Sequence, residues 1–165
     1  MKNILIIICI LFSFSCCSPQ KEQIKTNELT GLWKLHSMEV RDTLSNQWKP
    51  WREGTQGYLL YDNHKHVSLH LTTAFYNSFN NAFPNFTDTI PTDALKHLTN
   101  NYNYMGNYET KDSVVRHIKL SHSNPNEWGD TAYRKFYFKK DTLIMVPIEQ
   151  KNAQLMLKWV PFKST

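Results

Sequence analysis

From Leu29 onward, hydrophobic and polar residues alternate with the period of two that a half-buried strand requires, because successive strand side chains point to opposite faces. In GLWKLHSMEV, Trp33 and Leu35 share one face and Lys34 and His36 the other. The runs GYLLYD and HVSLHLT follow, joined by DNHK, which is hairpin-turn chemistry. SVVRHIKLSHS, AYRKFYFKK, DTLIMVP and AQLMLKWVPF supply four more strands, with Lys139, Lys140 and Asp141 as a tight turn between the second and third of these. One helix is predicted at PTDALKHLTNN, capped by Thr92 or Asp93, with Leu95 and Leu98 on one side. In Ala74–Asp88, Phe75, Phe79 and Phe83 fall at helical spacing, but the asparagines and Pro84 argue for a loop, expected to cover one end of the fold with its aromatics packed inward. Six to ten short strands with one helix predict an antiparallel barrel or sandwich.

The N-terminus breaks this pattern. MKNILIIICILFSFSCCSPQ has one lysine, an apolar run from Ile4 to Phe14, then small residues and two cysteines. That run is shorter than the roughly 20 apolar residues a spanning helix needs, so it reads as a secretory signal and is set apart from the fold. Its end resembles the lipobox of bacterial lipoproteins, in which a cysteine after small or aliphatic residues becomes the lipidated first residue. Cys16, preceded by the small Ser15, fits better than Cys17, although Phe14 departs from the usual pattern. The expected organisation is a lipoprotein signal at residues 1–16, a polar tether at 17–28 and one domain at 29–165. Acyl chains contribute about 0.8 kcal/mol per buried methylene, and two or more hold a domain at a membrane.

Composition narrows the chemistry. All three cysteines lie in the leader, so the domain folds without disulfides and depends on its core. Loss of Lys2 with the leader lowers the net charge from +5 to +4, and no basic run occurs. The charge therefore reads as solubility, and nucleic acid is not an expected partner. Five glycines leave little room for a phosphate-binding loop or dinucleotide fingerprint, and G-x-S-x-G and H-E-x-x-H are absent. No cofactor is expected.

The order of motifs resembles the bacterial and fungal lipocalin-like domain family. The matching positions are Gly31-x-Trp33-x-Leu35, GYLLY at Gly57–Tyr61, Val67-Ser68, YMGNYE at Tyr104–Glu109, Ser113–Phe136 and DTLIMV. The resemblance implies an all-β, closed antiparallel barrel that binds a small apolar or amphipathic molecule in its interior. Some relatives host an isomerisation or cyclisation there. It also implies structural roles for Gly31 and Trp33, with Trp33 closing the base against a basic side chain from a late strand, Arg134 or Lys158. Two positions depart from the pattern: Arg116 and His117 stand where a histidine pair is common, and Lys65 stands where the turn usually has glycine.

Several side chains are candidates for contact with a ligand. Arg134 alternates with Phe136 and Phe138, and Arg116 with Val114, Ile118 and Leu120, so both cations are expected on apolar faces. Each either faces an anionic group of a ligand, pairs with Glu39, Glu109 or Asp112, or sits on an exposed strand face whose apolar neighbours meet the covering loop. His117, Tyr58, Tyr61, Tyr104 and Tyr108 offer hydrogen-bonding or acid–base groups, although tyrosine is also simply a good strand residue. In NHKHVSLHL, the histidines at 64, 66 and 70 raise a metal site. On a strand, however, His66 and His70 lie about 13 Å apart, too far to share one zinc. No metal is expected, and the face occupied by His66, Ser68 and His70 is left as a question of register.

Three functions remain open on the sequence: a membrane-anchored, monomeric envelope lipoprotein that binds a small hydrophobic ligand; a barrel-lumen isomerase or cyclase; and a structural or protein-interaction lipoprotein.

Overall fold

The computed structural model describes residues 26–42, 44–52, 54–78, 89–149 and 154–163. Nine strands are present among them: β1 (Gly31–Arg41), β2 (Trp48–Pro50), β3 (Thr55–Tyr61), β4 (His66–Thr73), β5 (Asn101–Lys111), β6 (Val114–His122), β7 (Thr131–Lys139), β8 (Thr142–Pro147) and β9 (Leu155–Pro161). Neighbours pair antiparallel in the order β1-β3-β4-β5-β6-β7-β8-β9, and β9 pairs back onto β1, so eight strands close a barrel. Closure removes the free edges that an open sheet would expose. The short β2 lies outside the ring, on β1 at Glu39–Arg41.

Hairpin chemistry distinguishes the two ends. Turns at 62–65, 112–113 and 140–141 are tight, and Lys65, Asp112 and Lys140 adopt positive φ (70°, 53° and 54°). Lys65 thus occupies the left-handed position that favours glycine. Asp62 offsets the strain, since its Oδ1 accepts from the backbone N–H groups of His64 and His66, each at 2.8 Å. Near these turns Trp33 Nε1 donates to Leu29 O at 2.8 Å, tying the strand to the preceding 3₁₀ turn, Thr26–Leu29. Trp33 is buried here, and its ring neighbour is Phe138, with centroids 6.1 Å apart. The expected basic partners are engaged elsewhere: Lys158 Nζ donates to both Glu39 oxygens at 2.7 and 2.8 Å, and Arg134 pairs with Glu149.

Among the described residues the core is one cluster running from Leu29 to Trp159. Its members come from alternate positions: Leu59 and Tyr61, then Val67, Leu69 and Leu71, then Leu155, Leu157 and Trp159. On β4 the opposite row, His66, Ser68 and His70, faces outward, with both histidines exposed. The register question is thereby answered, and His66 Nδ1 is held at 2.7 Å by Asp62.

Longer connections lie at the other end, the mouth. α1 (Thr92–Leu98) sits there and buries Ala94, while Leu95 is exposed. Its N-cap is Pro91, and no side chain caps it, so neither Thr92 nor Asp93 plays that part. Phe75 is exposed, Tyr76 is half-buried and stacks on His97 with centroids 5.0 Å apart, and Phe79 and Phe83 lie outside the described residues. So do the leader, Cys16 and Cys17.

Candidate functional site

The inward rows of β5, β6 and β7 carry the polar groups. On β5 the row is Tyr102, Tyr104, Gly106 and Tyr108; on β6 it is Val115, His117 and Lys119; on β7 it is Ala132, Arg134 and Phe136. A bulge interrupts β6, where Gly106 faces Lys119 and Met105 faces Ser121. One extra residue reverses the parity of a strand. Leu120 keeps its outward place, and the parity changes after it, so that His122 joins Lys119 inside.

The polar interior has two levels. In the deeper one, His117 is 2 % exposed, and both of its ring nitrogens meet tyrosine hydroxyls: Nε2 lies 2.6 Å from Tyr61 Oη and Nδ1 2.5 Å from Tyr104 Oη. A neutral imidazole has one donor and one acceptor nitrogen. Tyr61 Oη can also donate to Met145 Sδ at 4.0 Å. Every hydrogen then has an acceptor if Tyr104 donates to Nδ1, Nε2–H donates to Tyr61, and Tyr61 donates to the thioether. Burial, reinforced by the charges of Arg134 and Lys119, pushes the His117 pKa far down. Burial likewise raises Tyr61 and Tyr104. The relay is uncharged at neutral pH. Below it, Tyr108 meets the Tyr61 ring edge-on at 4.7 Å and donates to Asp62 O at 3.2 Å.

Towards the mouth the groups are charged. A cavity of about 870 Å³ opens here, with apolar walls that include Met38, Leu69, Leu71, Leu155 and Leu157. Its polar side is built from Tyr102, Lys119, His122, Glu127, Arg134 and Glu149. The 3₁₀ turn Pro125–Glu127 supplies Glu127, and the Asn124 side chain caps that turn by accepting from Asn126 N. Lys119 Nζ donates to Glu127 Oε2 at 2.5 Å, and Tyr102 Oη donates to the same oxygen at 3.1 Å. Burial works to raise the Glu127 carboxyl, but the bond and charge of Lys119 outweigh it and hold it below the ordinary range. His122 Nδ1 accepts from Asn124 N at 2.7 Å, so the neutral ring carries its proton on Nε2. Burial is the main cause that lowers the His122 pKa, against the raising pull of Glu127.

The eight strands, the Gly31-x-Trp33 start and this mouth cavity can be set beside known families. The sequence pattern of the lipocalin-like domain matches residues 30–160. The chain belongs to that family. Among curated proteins none matches the chain.

Within this lipocalin-like barrel the predicted candidates separate clearly. Tyr61, Tyr104, Tyr108, His117 and Arg134 all point inward, but of these only Arg134 lines the mouth cavity. Arg116 does not belong with them. It lies on the outer face and pairs with Glu109 at 2.7 Å, both side chains largely exposed. The apolar row Val114, Ile118 and Leu120 that suggested an inward Arg116 is the outer row of β6. Sequence reasoning missed Tyr102, Lys119, His122 and Glu127. The period-two tyrosines of β5 could have revealed Tyr102; the parity of His122 depends on the bulge. No group of three or more His, Cys, Asp or Glu among the described residues could hold a metal ion.

Proposed function

We propose that this lipocalin-like protein is a lipid-anchored binding protein of the bacterial cell envelope that holds a small hydrophobic or amphipathic molecule at the mouth of its barrel. The cavity of about 870 Å³ carries the proposal: it has the size of a small-molecule site, apolar walls, and a few convergent polar groups on one side. The lipobox-like stretch around Cys16 and Cys17 supports anchoring, and the polar stretch to residue 28 would give the barrel reach from the bilayer.

The Tyr61–His117–Tyr104 relay offers little to an isomerase or cyclase. Its groups do not line the cavity, and burial keeps all three neutral. Its hydrogen bonds serve the barrel by satisfying polar atoms that would otherwise be costly to bury.

Binding is tested with the chain from Ser18 onward, by native mass spectrometry for a co-purified molecule and by uptake of the neutral dye nile red. A mass increment, or saturable dye fluorescence, is expected; a bare mass together with no dye uptake would refute the binding reading. Anchoring is tested by metabolic labelling with an alkynyl fatty acid, which is expected to mark the wild type and not a Cys16→Ser/Cys17→Ser variant. Equal labelling of both would refute it.

A further inference from the structure

In the buried part of the mouth's polar side hydrogen-bond capacity is one-sided. The Glu127 and Glu149 oxygens there are engaged, and the further lining carboxylate, Asp130, is exposed. Glu127 Oε2 takes Lys119 and Tyr102, and its Oε1 takes Asn124 Nδ2 at 3.4 Å. Glu149 Oε1 takes Arg134, and its Oε2 takes the backbone N–H of Ile148 at 3.1 Å. Donors, by contrast, are left over. His122 Nε2 is buried and carries a proton, yet it has no hydrogen-bond partner among the described residues; Glu127 Oε2 lies 3.4 Å away, out of hydrogen-bonding geometry. The Arg134 guanidinium has five N–H groups. Among the described residues its bonds, to Tyr133 O and Glu149, all run through Nη1.

A buried donor without a partner is costly, so a ligand that supplies an acceptor at this point gains what the free protein lacks. Lys119 and Arg134 add positive charge, and Glu149, with a side chain 38 % exposed, counters Arg134 only from the rim. From this surplus we infer that the molecule held in the cavity is an amphipathic carboxylate, its head on His122 Nε2–H and the Arg134 guanidinium and its apolar chain along Leu69, Leu71 and Leu157. In this arrangement Glu149 is an in-chain carboxylate that competes with the ligand for Arg134. The inference rests on the binding reading above and adds the chemical class of the head group.

The test is displacement of nile red from the chain beginning at Ser18 by three probes of equal chain length: dodecanoate, dodecan-1-ol and dodecylamine, at pH 7.5. Charge-assisted hydrogen bonds are worth about 1.5–3 kcal/mol, so dodecanoate should displace the dye at roughly tenfold lower concentration than the alcohol. His122→Phe and Arg134→Gln should each remove most of that preference. Glu149→Gln, a change at an exposed site that does not depend on repacking the core, should widen it by freeing the guanidinium. If the dye binds but alcohol and carboxylate displace it equally, or the amine is preferred, the carboxylate assignment is overturned and the binding reading stands. A Glu149→Gln variant with unchanged or weaker preference likewise overturns the competition with Arg134. If the dye does not bind and none of the three probes is retained, the binding reading itself falls.

Discussion

The deep relay sets a measurable acid sensitivity. Because the His117 pKa is lowered on folding, its proton binds more readily to the unfolded chain. The stabilising contribution of the neutral ring is therefore fully present above the unfolded value, about 6.5, and declines as pH falls below it. Each such histidine changes stability by at most about 1.4 kcal/mol per pH unit, which amounts to about 2 kcal/mol between pH 7.5 and pH 5. Carboxylates such as Glu39 and Glu127 are held low, so their contributions are lost at more acid pH. His122 shifts in the same direction and adds to the slope. The control is a triple variant, Tyr61→Phe/His117→Leu/Tyr104→Phe, which removes every partner in the relay and keeps the volume. Single changes orphan a group: Tyr61→Phe leaves Nε2–H, and Tyr104→Phe leaves Nδ1, each at a cost of about 1–3 kcal/mol. The triple change leaves no orphan and should lie near wild type at pH 7.5. Urea unfolding at a series of pH values checks both statements. The wild type should lose about 2 kcal/mol more than the triple variant between pH 7.5 and pH 5. Equal acid slopes, or single variants as stable as the triple, would refute the reasoning.

Other perturbations probe other parts of the barrel. A Cβ at Gly106 would lie 1.9 Å from Ile118 O across the β5–β6 bulge, so Gly106→Ala should cost more than about 3 kcal/mol in a urea titration. Trp33→Phe leaves Leu29 O without its donor at the closed base and should cost about 1–3 kcal/mol by the same measurement. Arg116→Gln should leave the melting temperature unchanged, because the pair with Glu109 is exposed. Nitrogen-15 NMR of the His117 ring should show the Nε2-protonated tautomer across pH 6 to 8, with no transition, as the Met145 contact requires.

Much of this fold was legible because its strands stand out from the turn residues between them. β1 and β4 were marked by alternation, β3, β6, β7, β8 and β9 by short apolar-rich runs, and the tight turn at Lys140 and Asp141 fell where charged residues interrupt them. β5 was not marked. Its outer row is asparagine, methionine and glutamate and its inner row tyrosine and glycine, so neither row reads as a hydrophobic stripe, although the tyrosines keep a strict period of two. β2 has only three residues, all exposed, and no period to detect. In α1 the leucines suggested the packed side, while the buried residue is the small Ala94, which allows close approach. The candidate site was legible where an ion sits among phenylalanines, as Arg134 does; for Arg116 the sequence left a ligand contact, a pair with Glu109 and an exposed face open, and the structure shows the exposed pair.

The ambiguity of the apolar row around Arg116 follows from the chemistry of the interior. Hydrophobic residues are expected inside, but much of any folded surface is also apolar, so an apolar row on one strand does not by itself identify the inward face. On β6 the inward row is Val115, His117 and Lys119, and the apolar Leu120 is 60 % exposed, because the lumen at this height is already furnished with tyrosines from β5 that need partners. Neighbouring strands, not the strand alone, decide its register. Each His117 nitrogen is matched by a hydroxyl from another strand, and a slip by one residue would turn His117 outward and take from both hydroxyls the ring that now bonds them. The bulge after Lys119 then turns the strand so that His122 shares the Lys119 side of the barrel. A neutral, satisfied relay fixes the register below, and the same strand, reset by one residue, presents donors to the mouth above.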